Sequence, residues 1–240
     1  MENSLYVGLS GQVALEAKMA LVANNVANLN TPGYRGQNMV FKEFISDQRN
    51  MKADVSLVYD YGQYDVTDPG PIKSTGNALD VALVGPGFIG IQTPQGVQYT
   101  RGGNFSINAL GELVTARGFK VANEGGGTIT IPAEARFVTI GENGSISTDQ
   151  GIVDAIMISE FEHYQKLEPQ GNGLYATDDP AIPATGTKML QGKLEGSNVS
   201  AVVEMTRMID LVREYQAIQN AMQNEHDRQQ TAIQRILRNT

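Results

Sequence analysis

Ala23-Asn24-Asn25-Val26-Ala27-Asn28-Leu29-Asn30-Thr31-Pro32-Gly33-Tyr34-Arg35 is the stretch at which the chain changes character. Just upstream and into it, Leu15, Met19, Val22, Val26 and Leu29 recur at 4-3-4-3 spacing, a heptad seam. Leu5, Leu9, Val13 and Ala17 form a second apolar set, each four residues from the last. Pro32 disfavours helix at Thr31, and Pro32-Gly33 turns the chain. Asparagine suits a helix C-terminus. The helix is therefore predicted to stop between Asn28 and Asn30. Asn24, Asn25 and Asn28 can hydrogen-bond side chains and the free carbonyls of a helix end. Tyr34 offers an aromatic anchor just past the turn.

The other end of the chain mirrors this one. The last 42 of the 240 residues contain neither Gly nor Pro. Val202, Met205, Ile209 and Val212 repeat at 3-4-3, and Met208, Leu211, Tyr215, Ile218 and Met222 at 3-4-3-4. Ala232, Ile233, Ile236 and Leu237 follow beyond the polar run Gln223–Gln230. Such a helix is marginal alone and must bury its stripe. Two stripes on one helix call for more than one partner, which points to a bundle built from several subunits.

Charge divides the chain in the same way. Residues 1–40 carry two basic and two acidic side chains, and residues 199–240 five of each. The whole net charge of −8 lies in residues 41–198, with 11 basic and 19 acidic side chains. That middle also holds 22 of the 26 Gly and eight of the nine Pro. It reads as short strands separated by turns: Leu79–Val84, Phe88–Gln92, Val97–Arg101, Phe105–Asn108, Glu112–Ala116, Phe119–Ala122, Thr128–Ile131, Phe137–Ile140, Ser145–Thr148 and Ile152–Phe161. Regular spacing of this kind predicts a compact sandwich or barrel-like domain. Residues 41–75, with Tyr59, Tyr61 and Tyr64 ahead of Asp68-Pro69-Gly70-Pro71, read as an extended linker or hairpin. Residues 163–188 read as irregular. The predicted class is α+β: long N- and C-terminal helices forming a coiled-coil-like bundle over 1–40 and 195–240, a linker over 41–75 and an all-β domain over 76–194.

Several functions are disfavoured. With no Cys, disulfides and thiolate metal sites are excluded. The acidic balance argues against nucleic acid. No apolar run approaches the roughly 18–20 residues of a membrane helix. Met1-Glu2-Asn3-Ser4 has neither a basic n-region nor a long apolar h-region, so the expectation is a chain that stays in the cytosol or leaves without a cleaved Sec signal. Gly85-Pro86-Gly87-Phe88-Ile89-Gly90 fits G-x-G-x-x-G, but a dinucleotide site needs a helix next, and Ile91-Gln92-Thr93-Pro94 reads as strand and turn. Gly125-Gly126-Gly127 lacks the Lys and Ser/Thr of a phosphate loop. The two histidines, His163 and His226, stand far apart in sequence. Neither a catalytic constellation, nor a cofactor, nor a small-molecule substrate is expected, which disfavours a cell-wall hydrolase. A soluble coiled-coil adaptor or chaperone is the other class that the periodicity allows.

Two segments go beyond generic signals. Ala23–Arg35 resembles the N-terminal signature of flagellar rod and hook proteins, approximately A-N-N-[IV]-A-N-x-[NS]-T-x-G-[YF]-[KR]. Leu194-Glu195-Gly196-Ser197-Asn198-Val199 resembles the family's C-terminal signature, with Gly196 ending a strand and Ser197 or Asn198 placed to cap the closing helix. Thr75–Ala82, Gly87-Phe88, Tyr99–Phe105 and Gly111–Thr115 are similar to the family as well. The resemblance implies a structural subunit whose terminal helices pack as the inner coiled-coil layer of a hollow shaft, with the β domain outside. It implies copies of itself and other rod proteins as partners, export through the flagellar type III apparatus, and a place in the rod crossing the periplasm. The 240-residue length and the closing run Gln219–Thr240 favour the proximal over the distal rod. The expected assembly residues are Asn24, Asn25, Val26, Asn28, Thr31, Pro32, Gly33 and Tyr34, Leu15, Met19 and Val22, and Met205, Ile209, Val212, Tyr215 and Met222.

Overall fold

Apolar spacing and the Asn–Pro–Gly stop set the first element: helix α1 spans Glu2–Ala27 and gives way to turn at Asn28. A computed structural model describes residues 2–46 and 55–238, with backbone only for 2–5, 43–46, 55–61, 236 and 238. The side chains of Leu5, Tyr59, Tyr61 and Ile236 thus lie outside what is described. Helix α2 spans Ala201–Arg238. No described helix is long and apolar enough to cross a membrane. The described residues make an α+β chain, with a helix near each end and β-structure between.

The chain forms two compact units. One comprises the segment up to Ala27, Gln37–Asp65, and the chain from Ser200 onward. In it, α1 packs along α2 and along a two-stranded ribbon, β1 (Gln37–Ser46) with β2 (Val55–Asp65). The segment predicted from residue 41 as linker or hairpin falls in an antiparallel hairpin that starts already at Gln37↔Asp65, within the stretch assigned to the helical end, with a bulge between Val40 and Phe41. Gly8 and Gly11 sit inside α1, where glycine costs about 1 kcal/mol each relative to alanine. Their role is close approach. A Cβ on Gly8 would lie 3.0 Å from Met222 Cγ, and one on Gly11 3.4 Å from Ile218 Cδ1. Gly8 opposite Met222, Gly11 opposite Ile218 and Asn25 within reach of Glu204 make the two helices antiparallel.

The second unit holds Asn28–Gly36 and Val66–Val199. Its main sheet runs in the order Glu168–Gly171, Leu174–Ala176, Gly96–Thr100, Phe88–Thr93, Lys120–Val121, Leu113–Thr115, Phe105–Ile107, with Ile158–Glu160 pairing both Phe88–Thr93 and Ile182–Pro183. A three-stranded sheet joins Val138–Ile140, Ser145–Thr148 and Gly151–Ala155. Lys188–Gln191 pairs Val81–Val84, and Lys193–Glu195 pairs Ile72–Ser74. The β-branched and leucine positions that alternate inward meet in one core: Val81, Leu83, Ile89, Ile91, Leu113, Val121, Ile129, Ile140, Ile146 and Ile156. Phe88, Phe161, Leu167 and Tyr175 form a smaller aromatic cluster.

Several predicted elements differ. Ile152–Phe161 is two strands, broken at Ile156-Met157, where the chain passes between sheets: Ile156 N still bonds Gly144 O in register with Ser145↔Ala155, whereas Met157 N bonds Ala122 O. Thr128–Ile131 contributes only isolated bridges, through Thr128 and Thr130. The stretch read as irregular contains the strands Glu168–Gly171, Leu174–Ala176 and Ile182–Pro183, which alternation could not reveal because they are short and carry Pro169 and Pro183. Gly85-Pro86-Gly87 is the turn between two strands, as its sequence context suggested.

Candidate functional site

The signature segments supply Asn25, Arg35, Arg101 and Glu195 among the buried polar residues. In the helical unit, Asn25 is 2 % exposed near the end of α1. Its Nδ2 donates to Gln37 O at 2.9 Å, and its Oδ1 accepts from Gln37 N at 3.0 Å. Nδ2 also reaches Glu204 Oε2 at 3.4 Å. Glu204 is itself buried and pairs with Arg207 at 2.6 Å. One amide thus ties the end of α1 to the start of β1 and the first turn of α2. This needs asparagine, since donor and acceptor are used at once. A carboxylate near the N-terminus of α2 also suits the helix dipole.

In the β-rich unit, Thr31 closes the turn onto Asn28, its Oγ1 donating to Asn28 Oδ1 at 3.0 Å. Gly33 has φ +68°, and a Cβ there would lie 2.3 Å from the Arg101 carbonyl carbon. No side chain fits. Gly33 N donates to Glu195 O at 2.9 Å, and Asn198 N to Tyr34 O at 3.3 Å. The two signatures are therefore bonded to each other. Asn198 does not cap α2, as its position suggested; its Oδ1 accepts from Gly36 N at 2.7 Å and its Nδ2 donates to Val66 O and Asp68 O. Ser197 Oγ accepts from Val199 N at 3.2 Å, and the helix begins only at Ala201.

At the centre lies Glu195, 1 % exposed. Its Oε1 accepts from Gly70 N at 3.1 Å and pairs with Arg35 Nη2 at 3.2 Å. Its Oε2 takes Arg101 Nε at 3.0 Å and Nη2 at 2.7 Å. The remaining Arg101 hydrogens go to the carbonyls of Gly85, Gly87 and Leu83, and Arg35 Nη1 donates to those of Thr67 and Asp68. Arg101 also stands 5.7 Å from the Phe88 ring centroid. Burial pulls the Arg35 guanidinium below its ordinary value; Glu195 opposes this and Arg101 adds to it. Four donors occupy the roughly four lone-pair positions of a carboxylate. Glu195 has no position left with which to take a proton from a substrate, so the cluster is a joint rather than a general base.

The helical stripes separate into two kinds. Leu15, Met19 and Val26 are half-buried and Val22 is buried, as are Met208, Tyr215, Ile218 and Met222 (half) and Leu211 (fully). Val202, Met205, Ile209 and Val212 are exposed, as are Leu9 and Val13. Asn24 is also exposed, while Asn28, Thr31, Pro32 and Tyr34 are half-buried. Sequence reasoning passed over Glu195, Arg101, Asn198 and Glu204 as site residues. The available signal was charge and amide inside otherwise apolar or glycine-rich signatures, where burial forces pairing. Among the described residues no group of three His, Asp or Glu side chains converges as a metal site would require.

Comparisons with known proteins match segments along the whole chain. The profile described as "Flagella basal body rod protein" matches residues 5–35, "Flagellar hook protein FlgE/F/G D1 domain" matches 82–148, and "Flagellar basal body rod FlgEFG protein C-terminal" matches 190–235. The flagellar basal-body rod protein FlgF of Caulobacter vibrioides is 35 % identical over 98 % of both chains, and that of Rhizobium meliloti 31 % over 98 % of both. The flagellar basal-body rod protein FlgG of Bacillus subtilis is 34 % identical over 90 % of this chain and 92 % of its own. Matched by the three profiles and by whole-length relatives, the chain belongs to the flagellar basal-body rod protein family and is a structural, non-enzymatic subunit that assembles with other rod proteins of the flagellum.

Proposed function

We propose that the subunit polymerises through the faces its two helices leave open, forming a coiled-coil inner layer of the proximal rod, the torque-transmitting shaft that crosses the periplasm. The observation that carries this is the split of the α2 stripes. Leu211 is 3 % exposed while Ile209, two residues away, is 53 % exposed. The exposed row of Val202, Met205, Ile209 and Val212 is apolar surface left uncovered by the described residues. Burial against neighbouring helices stabilises the assembly at about 25 cal/mol per Å² removed from water. Export through the flagellar type III apparatus is part of the same reading, with copies of itself and other rod proteins as neighbours.

The test is Met205→Asp with Ile209→Asp in the full chain. Unchanged circular dichroism of the purified protein, with loss of the subunit from purified basal bodies, is expected. Normal incorporation overturns assembly through this face. The proximal placement is supported by end-to-end alignment with the two FlgF relatives and by the 240-residue length. Labelled density in the distal segment of the shaft would overturn that placement alone.

A further inference from the structure

The β-rich unit carries a hollow and a projecting patch toward opposite ends of its three-stranded sheet. The hollow is a groove of ≈ 790 Å³ lined by Ile156, Ile158, Pro183 and Thr185, with Glu124 and Glu142 among its polar groups. One wall includes Pro183 of the two-residue strand Ile182–Pro183, which among the described strands pairs only with Ile158–Glu160. Pro183 lacks an N–H, so this edge does not recruit a further strand through that residue. It leaves a recess for side chains.

The patch follows from register. Ile146 and Thr148 face inward and are buried, so Ser147 faces outward, and so do its partners Thr139 and Ile152. Phe137, two residues before Thr139, shares that face. Phe137, just ahead of strand Val138–Ile140, is 59 % exposed and Ile152 82 %, two large apolar side chains at one end of this sheet. Arg136, exposed, adjoins Phe137. Four residues along the strand from Ile152, about 13 Å by strand rise, the chain reaches Ile156 and the groove.

A patch and a hollow held apart on one sheet cannot meet within a molecule. They are different surfaces, so a contact between them joins two copies head to tail, the heterologous geometry that repeats without closing. We propose that the Phe137–Ile152 face of one subunit seats in the Ile156–Thr185 groove of a neighbouring copy. Arg136 then brings a cation toward Glu124, which forms no ion pair among the described residues. This contact would set spacing between β-rich units, separately from the helices. The inference rests on the reading of the chain as a shaft subunit.

The chain contains no cysteine, so an introduced thiol is unique. Two differently tagged chains, Phe137→Cys and Thr185→Cys, are co-expressed, and purified basal bodies are treated with a short bis-thiol crosslinker. A dimer carrying both tags is the expected product, in excess over dimers of like chains. Both variants present in basal bodies without a mixed dimer, or with like dimers in equal yield, overturns the contact and leaves the rod reading standing. Absence of the unsubstituted chain from basal bodies overturns both. Ile152→Asp, added to the Phe137→Cys chain at an exposed position, should lower mixed-dimer yield about tenfold, because a carboxylate resists desolvation. Unchanged yield overturns the role of that face.

Discussion

The β-rich unit and the helical unit treat their side chains in opposite ways. The first closes its core. Val81, Ile89, Ile91, Val121, Ile129 and Ile146 are all fully buried, and its one deep charge cluster is saturated by hydrogen bonds. The second closes half a core. In α2 only Glu204 and Leu211 are buried among the described side chains, and the row from Val202 to Val212 is left in solvent. A unit that satisfies its own surfaces folds as a body. One that keeps an apolar row outside is a component, and its burial is completed by association.

The largest expected effect tests how closed the first unit is. Glu195→Ala leaves the Arg35 and Arg101 guanidinium groups buried without their carboxylate. Breaking a buried pair this way costs on the order of 3–5 kcal/mol. Denaturant unfolding should show that loss; a change under about 1 kcal/mol would mean that the cluster is solvated and the contrast false.

The sharpest test of the contrast is a pair of substitutions two residues apart. Leu211→Ala should cost about 2–3 kcal/mol of helical stability by urea titration of circular dichroism, the low end for a buried leucine because α2 is covered on one side. Ile209→Ala should cost less than about 0.5 kcal/mol in the isolated chain and yet reduce incorporation into basal bodies. Equal losses from both would show that the two stripes are not different surfaces.

Gly33→Ala should cost on the order of 1–3 kcal/mol, from φ +68° and the contact with the Arg101 backbone. Amide hydrogen exchange should open around Gly33 and Glu195. Exchange unchanged there would mean that the two signatures are held by something other than this close approach.

The smallest effect belongs to the exposed pair Glu142–Lys188, 2.9 Å apart. The hydrogen bond from Lys188 holds the Glu142 carboxyl below its ordinary range, and that same bond raises Lys188. The Glu142 contribution is present above the carboxylate's unfolded pKa and fades as pH falls through the lowered folded one. The Lys188 contribution is complete below the lysine's unfolded pKa and fades as pH rises through the raised folded one. Glu142→Gln should therefore flatten the acid limb of the stability–pH profile slightly, and less so in high salt. A large acid effect would place this pair among the buried charges.

Much of this architecture could be read locally. The heptad seam ahead of Asn28 and the Gly- and Pro-free end each report helix within a few residues. The turn glycines report strands between them. The closing cluster could not be read so. Arg101 and Glu195 are 94 residues apart, and although each is a charge beside glycine, nothing local says that they pair. Asn198 looked like a helix cap because it precedes α2; it serves Gly36, Val66 and Asp68 instead. The stretch 163–188 hid its strands because they span only two to four residues, too few for alternation to show, and two of them carry proline.

By itself the sequence determined where the helices and many of the strands lie, that its ends are neutral and carry apolar stripes while its middle is acidic, and which family signatures it carries. These follow from periodicity, composition and short-range sterics. Only the tertiary structure decided which α2 stripe α1 covers and which it leaves open, and that Glu195 draws Arg35 and Arg101 into one buried joint. Both depend on partners distant in the chain, because an apolar row or a buried charge is satisfied by what folding brings beside it, not by its neighbours in sequence.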